Sequence, residues 1–171
     1  KIPAKIVGLD KKNDIALLLS EKPNEGLSPI RSNDVRLGEA VVVAGYPYGE
    51  FVSSGLKVTS GIVSGVKGLG DNSAQFQLDA AIQPGNSGGP IFDRQGNIVG
   101  IVVAQLNKIK MAAASGSLPE NTNFAIKAGA VRTFMEANGV VVEADDRSGY
   151  QTTEAIAQSA AKQTVMVQCR N

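Results

Sequence analysis

The chain has 171 residues, of which 43% are hydrophobic and 19% are charged, and this balance predicts one globular domain or two small lobes. Its formal net charge is +1, it has no basic run and only 5% of its residues are aromatic, so nucleic-acid binding is not expected. No stretch approaches the ~18 consecutive apolar residues of a membrane span, and the lack of histidine together with a single cysteine, Cys169, predicts no internal disulfide, metal site or cofactor.

Short apolar runs separated by Gly, Pro, Asn and Asp form most of the chain, a pattern typical of an all-β sandwich or barrel. Residues 4–9 and 15–20 predict two strands joined by a turn at residues 10–13. Residues 21–37 contain Pro and Gly with little periodicity, and they predict a loop between two lobes. Six more strands are predicted, enough to close a small barrel: residues 39–45, 57–66, 74–79, 89–92, 98–104 and 122–126.

Two helices and a last strand are predicted after the barrel strands. Residues 127–138 have apolar side chains at helical spacing and end before Gly139, which suits a glycine C-cap on a helix that packs against the second barrel. After a polar linker, Thr153 is predicted to cap a second helix through about Lys162. The alternation of residues 164–169 predicts one more strand.

The residues with the clearest chemistry lie at positions 83–90, which read QPGNSGGP. Three glycines and two prolines predict a tight turn whose backbone conformation only glycine can adopt. The hydroxyl of Ser87 is expected at the tip of this turn, exposed as a nucleophile requires. The same turn can aim successive backbone N–H groups at one point, where they stabilise the oxyanion of a tetrahedral intermediate. The alternative is an ordinary tight turn between two strands.

The segment GNSGGP at residues 85–90 resembles the nucleophile motif of chymotrypsin-like serine proteases, in the form typical of the bacterial high-temperature-requirement (Deg) branch. Other segments resemble the same branch in the same order: NDIALL at 13–18, VTSGIVS at 58–64, QLDAAIQP at 77–84, NIVGI at 97–101 and NFAI at 123–126. The resemblance therefore runs from about Ala4 to Ile126.

This resemblance implies an all-β fold, a chymotrypsin-like double β-barrel whose first barrel is incomplete, with C-terminal helices. Residues 1–37 would form the end of the first barrel and the linker between the lobes. Residues 38–126 would form the second barrel with the nucleophile loop. Residues 127–171 would contain the C-terminal helix, a linker, the second helix and the short strand, in place of the peptide-binding PDZ domain that usually follows in that branch.

The resemblance also implies the roles of individual residues. Ser87 is expected to be the nucleophile, Asp14 the acidic partner, and the N–H groups of Gly85 and Ser87 the oxyanion donors. An aspartate before an apolar strand is also a common turn end, so Asp14 has a second interpretation. Asp79 is the competing acid and is interpreted as a structural residue of the strand before the turn.

The order of these residues limits the mechanism. Serine triads occur in three chain orders. One of them needs a histidine between the aspartate and the serine, and another needs a histidine after both. These two orders are excluded because the chain contains no histidine. The remaining order expects the histidine upstream of Lys1. A Ser-Lys dyad is the other hydrolase option, but the nearest lysines have polar or small neighbours and are expected to be solvated: Lys57, Lys67, Lys108 and Lys110.

The primary specificity pocket of this fold is formed by residues just before the nucleophile turn and by the strand after it. In this chain those residues are Ala81, Ile82, Val103, Ala104 and Gln105. None is charged, so the pocket is expected to prefer small or medium aliphatic side chains over Lys or Arg. Discrimination among aliphatic side chains should be weak, since one methylene contributes only ~1–3 kcal/mol.

The sequence therefore predicts a serine endopeptidase that hydrolyses peptide bonds through an acyl-enzyme on Ser87, with Asp14 and an upstream histidine, and without that histidine the chain should be nearly inert. The alternative is an inactive protease-like module that binds peptides. Polypeptides are the expected partners, and a homo-oligomer or strand exchange through an exposed first-barrel edge is a further possibility. By family analogy alone, the location would be periplasmic or secreted, with any targeting segment before Lys1.

Overall fold

The computed structural model describes residues 2–21, 27–49, 54–103, 122–143 and 145–169. Its strands, in chain order, are β1 (Ala4–Asp10), β2 (Ile15–Ser20), β3 (Ala40–Gly45), β4 (Lys57–Gly65), β5 (Gln75–Leu78), β6 (Pro90–Phe92), β7 (Ile98–Val102) and β8 (Asn123–Lys127). Two helices follow, α1 (Ala128–Ala137) and α2 (Thr153–Gln163). Every strand predicted before residue 127 is confirmed, with small differences at the ends.

Strands β3 to β8 form a closed antiparallel barrel in the order β3-β4-β5-β8-β7-β6. Successive residues of a strand point to opposite faces, so alternate residues of these strands fill the interior. The interior is apolar: Val35, Val41, Val43, Val63, Phe76, Leu78, Ala80, Ile82, Ile91, Val99, Val102 and Ala125 form one core cluster. The predicted six-stranded barrel is confirmed, and its closure leaves it without a free edge.

Strands β1 and β2 form a separate two-stranded antiparallel sheet. The carboxylate of Asp10 organises their turn by accepting the N–H groups of Lys12 at 3.0 Å and Asn13 at 3.1 Å, as well as the Asn13 side-chain amide at 2.6 Å. The side-chain hydrogen bond from Asn13 is the main reason why the pKa of Asp10 is lowered. Several large apolar side chains of this hairpin are exposed: Ile6, Val7, Leu9, Leu18 and Leu19.

The segment before β3 is attached to the barrel by a cluster of charges. Arg31 forms an ion pair with Glu39, which lies just before β3. It forms a second ion pair, at 3.3 Å, with Asp93 in the turn after β6. Burial alone would raise the pKa of Glu39, but the hydrogen bonds from the Arg31 guanidinium and the Arg36 N–H outweigh it, and the pKa of Glu39 is lowered. The cluster thus joins the segment before β3 to the turn after β6, 62 residues further along the chain.

Helix α1 packs on β7 and β8. The N–H of Gly139 donates to the carbonyl of Glu136 and the N–H of Val140 to that of Met135, both at 3.0 Å, which is the Schellman pattern at a helix C-terminus. The predicted glycine C-cap and the packing on the barrel are confirmed. Within the described residues, no helix has the length and apolarity needed to cross a bilayer.

Helix α2 begins one residue earlier than the sequence predicted. The side chain of Thr152 accepts the N–H of Ala155 at 3.2 Å, so Thr152 is the N-cap and the prediction of Thr153 was wrong. Thr153 is the first helical residue, and its hydroxyl accepts a hydrogen bond from Arg94 at 2.7 Å. Both adjacent threonines have a hydroxyl oxygen that could cap the helix. Thr152 is the N-cap because its backbone is extended, as an N-cap requires.

The strand predicted at residues 164–169 was also wrong, because these residues join no sheet. Their alternation leaves Val165 and Val167 exposed, and the closed barrel offers no edge for them to extend. Thr164 is nevertheless buried, and its N–H closes the last turn of α2 by donating to Ala160 at 2.8 Å. The segment therefore leaves the fold as an extended tail.

Candidate active site

The predicted nucleophile turn connects β5 to β6 through two successive reverse turns. In the first, the N–H of Asn86 donates to the carbonyl of Gln83 at 3.0 Å, and in the second the N–H of Gly89 donates to the carbonyl of Asn86 at 2.9 Å. Ser87 lies inside the second turn and is exposed to solvent. The local hydrogen bonds thus bend the chain sharply and leave the hydroxyl-bearing residue outside.

The end of this turn is fixed to the barrel by β7. The N–H of Gly88 donates to the carbonyl of Val102 at 2.9 Å, and the N–H of Val102 donates to the carbonyl of Gly89 at 3.0 Å. These two bonds extend the β6–β7 ladder into the turn, so Ser87 directly precedes residues that a barrel strand holds in place.

Gly85 adopts a backbone conformation that other residues avoid, with φ of +100°. A Cβ atom at this position would also meet the carbonyl oxygen of Tyr46, which belongs to the backbone and cannot rotate away. The glycine that the motif predicts is therefore required for two separate reasons, the dihedral angle and the close approach of Tyr46.

The peptide N–H groups of the turn are used unequally. Within the described residues, the N–H groups of Gly85 and Ser87 donate to no protein acceptor, whereas that of Asn86 between them is used inside the turn. Gly85 and Ser87 are exposed, and the side chain of Asn86 is buried. The turn thus contains two exposed residues, separated by one, whose N–H groups no protein acceptor among the described residues uses.

The two acidic candidates have different surroundings. Asp14 is exposed at the end of the β1–β2 turn, and no hydrogen bond of the described residues links it to Ser87. Asp79 pairs with Ile62 on β4: its carboxylate accepts the Ile62 N–H at 2.7 Å and its own N–H donates to the Ile62 carbonyl at 3.2 Å. The interpretation of Asp79 as a structural residue agrees with these bonds.

The predicted pocket residues fall into three groups. Ala81 is exposed, and its carbonyl accepts the Thr59 hydroxyl at 3.0 Å. Ile82 is only 4% exposed and belongs to the barrel core, while Val103 is half-buried beside the end of β7. The remaining two lie outside the described residues, Ala104 and Gln105.

The lysines considered for a Ser-Lys dyad have other contacts. Lys67 forms an ion pair with Asp71 at 3.6 Å, and both side chains are more than half exposed. The ammonium group of Lys57 donates to the carbonyl of Gly55 at 3.2 Å. Two further candidates lie outside the described residues, Lys108 and Lys110.

Contacts between residues 45–49 and the nucleophile turn were not predicted from the sequence. The N–H of Tyr48 donates to the carbonyl of Pro84 at 2.7 Å, and the Tyr48 hydroxyl donates to the side chain of Gln83 at 2.8 Å. The sequence GYPYG, a turn composition with two aromatic residues directly after β3, was the available signal. Its target could not be identified from the sequence, since it lies about 35 residues away.

Comparison with known proteins gives consistent matches. The model of the trypsin-like peptidase domain matches residues 1–101. The uncharacterized protein y4bJ of Sinorhizobium fredii is 36% identical over 99% of this chain and 27% of its own length, and the serine protease Do-like HtrA of Bacillus subtilis is 36% identical over 71% of this chain and 29% of its own length. The crystal structure of the serine endoprotease from Yersinia pestis superposes with a TM-score of 0.64 at 30% identity, covering 80% of this chain and 44% of that one.

The chain thus spans between a quarter and a third of the length of these two curated relatives. The y4bJ match includes nearly the whole chain, whereas the family model ends before α1 and α2. The structural match agrees with the predominantly β fold and its closed barrel. The chain belongs to the trypsin-like peptidase domain family, in its HtrA-type branch.

Proposed function

We propose that this chain carries the nucleophile and the acidic partner of a serine endopeptidase. The observation that supports this most directly is the turn at residues 83–89, where Ser87 is exposed and the N–H groups of Gly85 and Ser87 find no acceptor in the part of the protein that the structure describes. Family membership supports serine protease chemistry in general. A turn that only connected two strands would not need this arrangement of donors.

In the proposed reaction, the Ser87 hydroxyl attacks a peptide carbonyl while a histidine from outside this sequence accepts its proton. The N–H groups of Gly85 and Ser87 donate to the oxygen that becomes negatively charged, and one such donor contributes about 10²–10³ in rate. Asp14 holds the imidazole in the correct tautomer and stabilises the imidazolium without accepting its proton. The histidine then protonates the leaving amine, and water hydrolyses the acyl-enzyme.

The proposed substrates are polypeptides with small or medium aliphatic side chains at the primary position. The residues expected around that position are uncharged: Ala81, Ile82, Val103, Ala104 and Gln105. An uncharged apolar pocket does not compensate for the desolvation of a Lys or Arg side chain. Cleavage after basic residues in a peptide library would contradict this part of the proposal.

The proposed organisation follows the same family pattern, with residues 1–37 belonging to the first barrel and linker, 38–126 to the second barrel and 127–171 to a C-terminal extension. Strand exchange through the edge of the β1–β2 sheet stays a prediction, as does a periplasmic or secreted location.

A fluorophosphonate probe, which reacts with activated serines, tests the proposal. The chain is expressed together with whatever residues its gene encodes before Lys1, and labelling is compared between the unchanged protein and Ser87→Ala. We expect the substitution to abolish labelling, and Ser60→Ala, on the exposed face of β4, to leave it unchanged. Peptide binding without any labelling would favour the inactive peptide-binding module.

A further inference from the structure

Helix α2 covers part of the outer surface of the barrel. Its two fully buried residues, Ile156 and Ala160, pack against outward-facing side chains of β3 and β6. These partners form a second core cluster separate from the barrel interior: Val42, Ala44 and Phe92. Helix α2 therefore docks partly on β3, the strand that leads into the residues contacting the nucleophile turn.

Polar contacts fix the chain on the barrel before α2 begins. The side-chain amide of Asn97 donates to the carbonyl of Arg147 at 3.1 Å, and its oxygen accepts the Arg147 N–H at 2.7 Å. The N–H of Gln151 donates to the carbonyl of Arg94 at 2.7 Å. The start of α2 is thus held against the β6–β7 turn, which determines where the helix can end.

The end of α2 contacts the residues that follow β3. The hydroxyl of Tyr46 donates to the carbonyl of the buried Thr164 at 3.1 Å. Residues 45–48, which we call the support segment, therefore bind the C-terminal extension on one side.

On its other side the support segment contacts the nucleophile turn at three successive residues. A Cβ atom on Gly45 would lie 2.6 Å from the side-chain oxygen of Asn86, the Tyr46 carbonyl lies against Gly85, and the Tyr48 N–H donates to Pro84. The support segment is thus packed between the turn and the end of α2.

Hydrogen bonding is least complete around the support segment. Within the described residues, two buried side-chain oxygens have no hydrogen-bond partner, and they belong to Asn86 and Thr164. Asn86 packs on Gly45 and Thr164 binds Tyr46. Both oxygens thus belong to residues that contact the support segment, one on the nucleophile turn and one at the end of α2.

We propose that Tyr46 is a positioning residue through which the C-terminal extension holds the nucleophile turn in place. Its hydroxyl binds Thr164, and its backbone carbonyl limits the position of Gly85, which supplies an oxyanion donor together with Ser87 in the proposed chemistry. This inference rests on the proposed function for its catalytic consequence, although the mechanical coupling itself does not. The C-terminal extension, which lies beyond the residues matched by the family model, thereby gains a role.

Tyr46→Phe tests the coupling, because it removes one hydroxyl and keeps the ring. The matched control is Tyr150→Phe, since Tyr150 is 72% exposed and its ring stays over Arg94 after the substitution. In the 171-residue chain, we expect Tyr46→Phe to raise amide hydrogen exchange in residues 83–89 by about threefold to tenfold, the ratio that one net hydrogen bond corresponds to. Tyr150→Phe should leave it unchanged.

A second variant acts on the same contact from the other side. Ile156→Ala weakens the docking of α2 without touching the barrel interior, so it should raise exchange in the same residues 83–89. Unchanged exchange there in both Tyr46→Phe and Ile156→Ala would overturn the inference, and so would an equal rise in Tyr150→Phe.

Probe labelling of the N-terminally extended chain then separates this inference from the proposed function. We expect Tyr46→Phe to lower the limiting labelling rate by about threefold to tenfold, while the probe concentration at half-saturation stays constant. A lower labelling rate without altered exchange would overturn the coupling. Altered exchange in a chain that the probe never labels would support the coupling and contradict the proposed function.

Discussion

Asp14 adopts a left-handed backbone conformation, with φ of 57°, at the end of the β1–β2 turn. Among residues other than glycine, Asn and Asp enter this region most readily. A role as turn end depends on this backbone preference, whereas a role as acidic partner depends on the negative charge. Replacement of the carboxylate by an amide therefore separates the two interpretations.

We expect Asp14→Asn to change the free energy of unfolding by less than about 0.5 kcal/mol and to lower kcat of the N-terminally extended chain about 10⁴-fold. Asparagine keeps the turn but leaves the imidazole in the wrong tautomer. Urea unfolding and the hydrolysis of an aliphatic peptide measure the two effects. The opposite result is expected for Asp10→Asn, whose carboxylate binds the turn, and an unchanged kcat in Asp14→Asn would make Asp14 a turn end only.

Gly85 and Gly88 lie in the same turn and both have positive φ, but they differ in the space around them. A Cβ atom on Gly85 would meet the Tyr46 carbonyl, while one on Gly88 would meet nothing within 4 Å. We expect Gly88→Ala to cost about 1–2 kcal/mol from the dihedral angle alone and Gly85→Ala to cost clearly more. Urea unfolding of the two variants decides this, and equal losses would show that the contact with Tyr46 is not tight.

At the scale of elements, the buried side chain of Asn97 is one of the groups that hold the linker before α2. Asn97 is 2% exposed, and its amide bonds to Asp93 and to both the N–H and the carbonyl of Arg147. Asn97 makes one hydrogen bond to each backbone group of Arg147, so its loss leaves both groups without this partner.

We expect Asn97→Ala to cost about 1–3 kcal/mol for each group left unpaired and to raise amide exchange in residues 147–163 more than in β5. Asn33→Ala, an exposed position in the segment before β3, should change the stability by less than about 0.5 kcal/mol. Mass-spectrometric exchange measures the regional effect. A uniform rise over the barrel and the linker would mean that Asn97 stabilises the barrel rather than the linker.

The elements that the sequence predicted well are those with local signals. The strands follow from short apolar runs between turn residues, and Gly139 ended α1 as its position indicated. Two adjacent threonines gave equal signals for the cap of α2, and the alternation of residues 164–169 was the same as that of a paired strand. The contact of Tyr46 with Thr164 joins positions 118 residues apart, and no local pattern predicts it.

At the scale of the whole molecule, Arg31 connects the start of β3, through Glu39, with the turn after β6, through Asp93. Because the pKa of Glu39 is lowered in the folded state, the unfolded chain binds more protons than the folded one once the pH falls below the ordinary glutamate value, about 4.3. The stabilisation is thus fully present above that value and is lost as the pH falls through the lowered pKa.

We expect the free energy of unfolding to fall with pH below about 4.3 and Glu39→Gln to make this fall less steep. The control is Glu136→Gln on the exposed side of α1. Urea unfolding at several pH values between about 3 and 7 measures how steeply the free energy of unfolding changes with pH. This range brackets the ordinary pKa of glutamate. Identical slopes in the unchanged chain and in Glu39→Gln would assign the acid sensitivity to other carboxylates.

The tail after α2 begins at Thr164, beside Tyr46, and its exposed Cys169 is the only cysteine of the sequence. Five residues of extended chain reach at most about 17 Å, so the Cα atom of Cys169 stays within that distance of the Cα atom of Thr164. An environment-sensitive dye can therefore be attached at one defined position without removing other thiols. A dye on Cys169 therefore reports on the surroundings of the residues that follow α2.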